Sequence, residues 1–168
     1  MRSDSDIKTG VITELRRVPD LMTSTSMPIG EIAMRKPICV DLNTSALAAT
    51  ELMRIYQVAE LVVTDQADGS LVPVGILSAR DIVTRIIATG LDPAVVTAGD
   101  ITWSESIGAK VTDSVSDTLQ LLQATKGNVL PVLDASGSLT AVVTLHDLLW
   151  VLAAAKLAPT TGTVNSAR

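Results

Sequence analysis

The sequence predicts an α+β fold in which two copies of a β-α-β-β-α repeat pack sheet to sheet with pseudo-two-fold symmetry. The first observation is self-similarity, because Gly30-Glu31-Ile32 recurs as Gly99-Asp100-Ile101, 69 residues later. The second is that each copy alternates short apolar runs with stretches whose apolar residues recur every three to four positions. One copy of about 60 residues would be only marginally stable alone, so we expect the two to share one core.

The 69-residue offset holds through most of the repeat and changes at one turn. It carries residues 61–65 onto residues 130–134. Further on, Ser78-Ala79-Arg80-Asp81 aligns with Thr144-Leu145-His146-Asp147 at an offset of 66. We attribute the difference to a longer hairpin in the first copy, because exposed turns tolerate insertions.

The elements of the first copy follow in order. A short strand at residues 38–40 precedes a helix at residues 46–56, where Ala46, Ala49, Leu52, Met53 and Tyr56 share one face. Strands at residues 61–64 and 72–77 flank a turn of Asp, Gly and Ser, which indicates a hairpin. A helix at residues 79–88 completes the copy.

The second copy is predicted to have a helix at residues 115–124, strands at 129–133 and 139–143, and a helix at 145–155. Gly90 and Asp92-Pro93 mark residues 89–98 as a linker. The chain is thus divided into an arm at 1–28, domains at 29–90 and 91–155, and a flexible tail at 156–168. Apolar residues of the arm recur at near-helical spacing, so we expect a short amphipathic helix there, packed on the module or on a second subunit.

Composition excludes several classes of protein. Apolar residues make up 47% of the 168 residues, which excludes disorder for most of the chain. The net charge of −5 and an aromatic content of 2% argue against a nucleic-acid binder, which needs a basic face. The start of the chain has no apolar run typical of a signal peptide.

Cys39 and His146 are the only cysteine and the only histidine. A disulfide framework or a Cys/His zinc site within one chain is therefore excluded, and we expect no metal and no catalytic residues. The apolar stretch at residues 139–158 carries His146 and Asp147 near its middle, which disfavours a membrane span. We expect a cytoplasmic protein that is not an enzyme.

Two strand-to-helix junctions carry the pattern of a candidate site. Ser78 and Thr144 each stand three residues before an aspartate, Asp81 and Asp147, which is the pattern of a capping box. The same atoms suit a ligand, because a helix N-terminus attracts phosphate and a carboxylate can accept both hydroxyls of a ribose. Arg80 and His146, beside the aspartates, could reach phosphate. One such junction from each copy would converge on the other.

Taken together, the motifs resemble a tandem cystathionine-β-synthase (CBS) domain pair, also called a Bateman module, over roughly residues 29–155. The resemblance rests on the order, spacing and duplication of Gly30-Glu31-Ile32, Pro37-Ile38-Cys39-Val40, Gly75 to Asp81, Gly90-Leu91-Asp92-Pro93 and Thr144 to Asp147, with residues 61–65 and 130–134.

The resemblance implies an adenosine-containing ligand, AMP, ADP, ATP, NAD or S-adenosylmethionine, in clefts between the domains. It places Asp81 and Asp147 on ribose and Ser78 and Thr144 near phosphate. It also implies an aliphatic wall for adenine, or ordinary packing, at Ile38, Cys39, Ala59, Glu60, Ile107, Asn128 and Val129. The motif glycine is Gly75 in the first copy but Ala141 in the second, which favours the Asp81 cleft.

These observations lead to a functional hypothesis. We expect a regulatory module that senses an adenosine nucleotide, requires no cofactor, forms a homodimer and passes the ligand state to a protein partner. The dimer is expected because residues 148–152 are five consecutive apolar residues, more than one helix face can bury. The alternative is a ligand-free structural dimerisation module that acts through a protein partner.

Overall fold

The computed structural model describes residues 25–32, 34–67, 69–102, 108–125 and 127–157. A 3-10 turn at Ile29–Glu31 precedes the first repeat. The first repeat has the predicted element order: β1 (Cys39–Asp41), α1 (Ala46–Tyr56), β2 (Glu60–Ala67), β3 (Ser70–Ser78) and α2 (Ala79–Ile82), followed by a π-helical turn at Val83–Ile87.

The second repeat has the same order, preceded by a short helix, α3 (Ala98–Ile101). Its elements are β4 (Ala109–Lys110), α4 (Val115–Thr125), β5 (Val129–Leu133), β6 (Leu139–Thr144) and α5 (Leu145–Leu157). The predicted β-α-β-β-α repeat is therefore confirmed in both copies.

Each repeat forms one three-stranded sheet, and the two sheets have equivalent registers. In the first, β1 is parallel to β2 and β2 is antiparallel to β3; in the second, β4, β5 and β6 are paired in the same way. Register shifts fall between Val63 and Thr64 and between Val132 and Leu133, which are the same positions under the 69-residue offset. The internal symmetry therefore extends to the irregularities of the strands.

Helix α1 shows why local sequence determines these elements. The Ser45 side chain accepts the N–H of Ala48 at 3.2 Å, which caps the first turn. Ala46, Ala49 and Met53 are buried on one face, as the spacing predicts, and Leu52 is half-buried. Tyr56, predicted on the same face, is exposed. The helix ends where Gln57 adopts a left-handed backbone with φ of 54°.

The buried side chains form two cores, one on each sheet, rather than the single shared core that we expected. Each core is completed by a segment from the other half of the chain. Ala98 and Ile101 are buried in the core of the first repeat, and Ile29 and Ile32 are buried in the core of the second. The expectation was wrong because the leading segment of one repeat can pack on the other repeat. It supplies the buried apolar surface that one small repeat lacks.

Backbone hydrogen bonds hold the exchanged segments in equivalent places. The N–H of Ile29 donates to the carbonyl oxygen of Asp113 at 2.9 Å, and the N–H of Ala98 donates to Thr44 at 2.7 Å. Ile29 and Ala98 are 69 residues apart, and so are Thr44 and Asp113. The exchange is therefore reciprocal.

The structure refines two predicted segments. The helix expected at residues 79–88 is α-helical only to Ile82 and continues as the π-helical turn. The predicted linker is packed, because Val96 and Pro93 accept the N–H groups of Ala46 and Leu47 at 2.8 and 2.9 Å. These bonds satisfy N–H groups at the start of α1 that have no partner within the helix.

The proposed arm lies almost wholly outside the described residues, and so does the tail after Leu157. Helix α5 runs two residues past the predicted end at residue 155. Within the described part of the chain, the helices are too short or too polar to cross a lipid bilayer.

Candidate functional site

Both predicted junctions form complete capping boxes. At the start of α2, the N–H of Ser78 donates to Asp81 Oδ2 and the N–H of Asp81 donates to Ser78 Oγ, each at 3.1 Å. At the start of α5, the matching distances between Thr144 and Asp147 are 3.0 and 3.1 Å. The boxes orient each aspartate with one oxygen bound to the helix start.

A third capping box shows that this motif alone does not identify a binding site. Thr97 and Asp100 make the same reciprocal bonds at the start of α3, and Asp100 is exposed. That helix supplies Ala98 and Ile101 to the core of the first repeat. The surroundings of the box must therefore decide whether it binds a ligand.

At the second junction, the surroundings are a cavity of about 570 Å³ between the two repeats. This volume suits a small-molecule ligand. The lining side chains come from the segment before β1, the start of β2, the start of β5 and the β6–α5 junction: Arg35, Lys36, Ile38, Val58, Ala59, Glu60, Val62, Asn128, Val129, Val142, Thr144, Leu145, His146 and Leu149.

Half of this lining is predicted from the sequence. Seven of the expected residues contribute, namely Ile38, Ala59, Glu60, Asn128, Val129, Thr144 and His146. Cys39 does not, because neighbouring residues of an extended segment point in opposite directions and Ile38 takes the cavity side. Burial raises the pKa of the Cys39 thiol.

The residues of the first junction do not line this cavity. Ser78, Arg80 and Asp81 stand at the start of α2, on the other strand-to-helix junction. Under the repeat, the wall facing them would include Ile107, which lies outside the described residues. Their assignment to a second cleft stays a prediction.

The most consequential contact at the cavity is one that sequence reasoning missed. Arg35 Nη2 lies 3.1 Å from Asp147 Oδ1, and Arg35 Nε lies 3.3 Å from Asp147 Oδ2. The Arg35 side chain is 60% exposed, whereas that of Asp147 is 14% exposed. The basic pair Arg35-Lys36 before the first strand was the only sequence signal for this contact.

The ion pair changes the ionisation of both partners. Burial disfavours the ionised form of Asp147, but hydrogen bonds from Arg35 and Thr144 outweigh it, so the pKa of this carboxyl is below its usual value. The same contact raises the pKa of the Arg35 guanidinium. Asp147 is therefore held as a carboxylate at neutral pH.

Glu60 is the acidic residue of the cavity wall. Its Oε1 accepts the backbone N–H of Asn128 at 3.4 Å, which links β2 of one repeat to the segment before β5 of the other. Burial raises the pKa of the Glu60 carboxyl; the Asn128 hydrogen bond opposes this, and the negative charge of Asp81 adds to it. The Glu60 side chain therefore contacts the second repeat at Asn128 and also feels the charge of Asp81 at the first junction.

Comparison with known proteins agrees with this duplicated architecture. The family model of the CBS domain matches residues 29–88 and 98–154, which together make up more than half of the chain. The chain belongs to the CBS domain family. The tandem CBS pair suggested by the sequence motifs is thereby confirmed.

Several known proteins are similar to this chain in sequence or structure. An uncharacterized protein of Methanopyrus kandleri is 29% identical over 126 residues, which are 75% of this chain and 63% of that protein. An uncharacterized conserved protein from Pyrococcus horikoshii is 27% identical, with a TM-score of 0.64 over 75% of this chain and 92% of that one. The chain thus spans less than two thirds of its Methanopyrus relative.

A further structural neighbour, a CBS-pair protein, has been solved with a nucleotide. The complex of CBSX2 with AMP is 24% identical, with a TM-score of 0.61 over 77% of this chain and 98% of that one. CBSX2 is a CBS-pair protein of Arabidopsis thaliana. At that identity, the likeness establishes the fold alone.

The substitution of the motif glycine in the second CBS repeat does not close the cleft. Ala141 is buried in the core of that repeat, and Thr144, three residues later, lines the cavity. The extra methyl group therefore packs inward. The expectation that Ala141 would crowd a ligand, and so favour the Asp81 cleft, is not supported by this packing.

Proposed function

We propose that this CBS pair is a regulatory module that binds an adenosine-containing ligand in the cavity beside Thr144 and Asp147. The candidates are AMP, ADP, ATP, NAD and S-adenosylmethionine. The observation that supports this most is one cavity between the repeats that combines an aliphatic wall with the basic side chains of Arg35, Lys36 and His146, and whose Arg35 pairs with the oriented carboxylate of Asp147.

The aliphatic wall suits a purine ring. Ile38, Val58 and Val62 come from the first repeat, and Val129 and Val142 come from the second. A flat heterocycle between these side chains would bury apolar area from both repeats at once. A ligand held in this way stabilises the relative position of the two sheets, which is how binding would be passed on to a protein partner.

The polar end of the cavity suits a ribose and its phosphate. Asp147 is not among the lining side chains, but it pairs with Arg35, which is. It is held as a carboxylate, which can accept ribose hydroxyls in charge-assisted hydrogen bonds. The cap residue Thr144 stands at the start of α5, a helix of 13 residues whose first turn attracts anions. Lys36 and His146 line the same cavity and can contact phosphate oxygens.

The test compares the wild type with Asp147→Asn. We expect AMP or another of the five ligands to raise the melting temperature of the wild type, because a ligand that binds only the native state stabilises it by mass action. In titration calorimetry, Asp147→Asn should weaken binding at this cleft about tenfold to a hundredfold, from the loss of charge-assisted bonds. No shift with any of the five ligands would support the ligand-free structural module instead.

We further propose that the module acts in the cytoplasm as a homodimer. Trp150 is 68% exposed and Leu149 is 49% exposed on α5, and Val83 and Ile87 are exposed on the helical segment of the first repeat. Apolar side chains of this size on helix surfaces favour a helix-to-helix interface.

A further inference from the structure

Arg35 holds the carboxylate that the proposed function assigns to ribose. A carboxylate offers about four lone-pair positions for hydrogen bonds. Thr144 donates two bonds to Asp147 Oδ2, from its N–H at 3.0 Å and its hydroxyl at 2.6 Å. Arg35 donates from Nε to Oδ2 at 3.3 Å and from Nη2 to Oδ1 at 3.1 Å. Three of these bonds fall on Oδ2 and one on Oδ1, so a ribose diol that binds through both hydroxyls has to displace the guanidinium from this carboxylate.

The backbone of Arg35 is fixed while its side chain can move. Its N–H donates to the Val142 carbonyl oxygen at 3.0 Å, and its own carbonyl accepts the Val142 N–H at 2.9 Å. These two bonds hold the segment before β1 against β6 of the other repeat. A displaced Arg35 side chain, which is 60% exposed, therefore stays at the cavity next to Lys36 and His146.

We propose that Arg35 is a specificity-determining residue that competes with ribose for Asp147 and exchanges the carboxylate for the phosphate of the ligand. This inference rests on the proposed function and deepens it. The paired N–H groups of a guanidinium bind a phosphate as well as a carboxylate. The phosphate of a bound nucleotide can therefore replace the Asp147 carboxylate as the partner of Arg35. An unphosphorylated nucleoside displaces Arg35 from Asp147 and offers the guanidinium no anionic group in exchange. The cleft is thereby selective for nucleotides over nucleosides.

The two junctions differ in this property. Under the 69-residue offset, the counterpart of Arg35 is Ser104, which is neutral. Asp81 accepts hydrogen bonds from Ser78 on Oδ2, and no ion pair to Asp81 forms within the described part of the chain. A nucleoside at the first junction would not have to displace a cation.

The experiment measures adenosine and AMP affinities by titration calorimetry. All variants also carry Asp81→Asn, which weakens ligand binding at the first junction. The variants are Arg35→Gln and the matched control Lys36→Gln, which also removes one positive charge from the cavity but breaks no bond to Asp147. Melting temperatures verify that each variant is folded. Arg35→Lys, which keeps the charge without the paired N–H groups, should lie between the wild type and Arg35→Gln.

We expect Arg35→Gln to strengthen adenosine binding about two- to fivefold, because adenosine no longer has to break the Arg35–Asp147 ion pair. That factor corresponds to the strength of a partly exposed ion pair. The same variant should weaken AMP about tenfold or more, because the phosphate loses the paired N–H groups. Lys36→Gln should weaken AMP and leave adenosine within about twofold. Equal changes for the two ligands in Arg35→Gln, or none, would overturn the exchange and leave the proposed function intact. Absence of binding by the parent protein would overturn both.

Discussion

The backbone N–H of Gly30 donates to the carbonyl oxygen of Val111 at 3.0 Å, although the two residues belong to different repeats. Gly99 makes the matching bond to Leu42 at 2.8 Å. A Cβ added at Gly30 would lie 3.0 Å from the Val111 oxygen, and one at Gly99 would lie 3.1 Å from the Leu42 oxygen. A side chain at either position would press on a backbone carbonyl oxygen, which favours glycine where each leading segment crosses to the other repeat.

This close approach predicts that Gly30→Ala is destabilising. The methyl group would press on a backbone carbonyl that is itself hydrogen-bonded, so the exchanged segment has to shift. We expect a loss of about 1 kcal/mol, which lowers the melting temperature by roughly 2–4 °C in a chain of this size. The control is Gly127→Ala, whose added Cβ would have its nearest neighbour at 3.5 Å. Equal effects of the two substitutions would contradict a tight crossing.

Glu60→Gln should stabilise the protein at neutral pH and not in acid. The folded-state pKa of Glu60 is raised, mainly by burial, so the folded state binds its proton more tightly than the unfolded chain does. The cost of burying the carboxylate is absent below the unfolded value of about 4.3 and grows as the pH rises through the folded pKa. Glutamine keeps an acceptor for the Asn128 N–H without the charge.

Melting temperatures between pH 4.5 and 8 provide the measurement for Glu60. The advantage of Glu60→Gln over the wild type should increase with pH. Glu51→Gln on the exposed side of α1 is the matched control for loss of one negative charge. If the Glu60 difference were the same at every pH, or followed that of Glu51, burial of this carboxylate would not limit stability.

The proposed dimer predicts that Trp150→Lys produces a monomer. A lysine at this position, where the tryptophan is 68% exposed, would place an unpaired charge in an apolar helix interface. Light scattering at micromolar concentration should give twice the chain mass for the wild type and one chain mass for the variant. Leu71→Lys, near the β2–β3 turn and away from the helices, should remain dimeric. A monomeric wild type would refute the interface.

Asp81 stays a predicted ligand residue. Ligand titrations of variants at this position can test the prediction. Asp81→Ala should weaken an adenosine ligand about tenfold to a hundredfold at the first junction, if the carboxylate accepts ribose hydroxyls. The same change also removes the bond to the Ser78 N–H and costs the helix start about 1 kcal/mol. Asp81→Asn keeps the shape without the charge, so unchanged affinity in both variants would remove Asp81 from the site.

Local sequence predicted the elements well because their causes are local. The bounds of α1 and β5 match the predicted residues 46–56 and 129–133, where apolar spacing alone determines the element. The capping boxes were predictable because their partners stand three residues apart. The π-helical turn after Ile82 was missed, since the apolar residues there have ordinary helical spacing.

Contacts between distant residues could not be predicted in this way. Arg35 and Asp147 are 112 positions apart, and neither residue has a local pattern that specifies the other. The crossing of the leading segments was also hidden, because Gly30-Glu31-Ile32 and Gly99-Asp100-Ile101 are so similar that either could complete either core. Only the three-dimensional structure shows which core each segment completes.

Because the two repeats are joined in one chain, each core binds a leading segment that is tethered to it, rather than one from a separate molecule. A chain with a single repeat could complete its core only with the leading segment of another molecule, so its stability would depend on protein concentration. In the tandem chain, the connecting residues 89–97 hold the two halves at a fixed effective concentration, so dilution does not separate one repeat from the other. A proteolytic nick within that connection would leave every strand intact. The nicked protein would nevertheless unfold at a temperature that falls on dilution, as a complex of two fragments does.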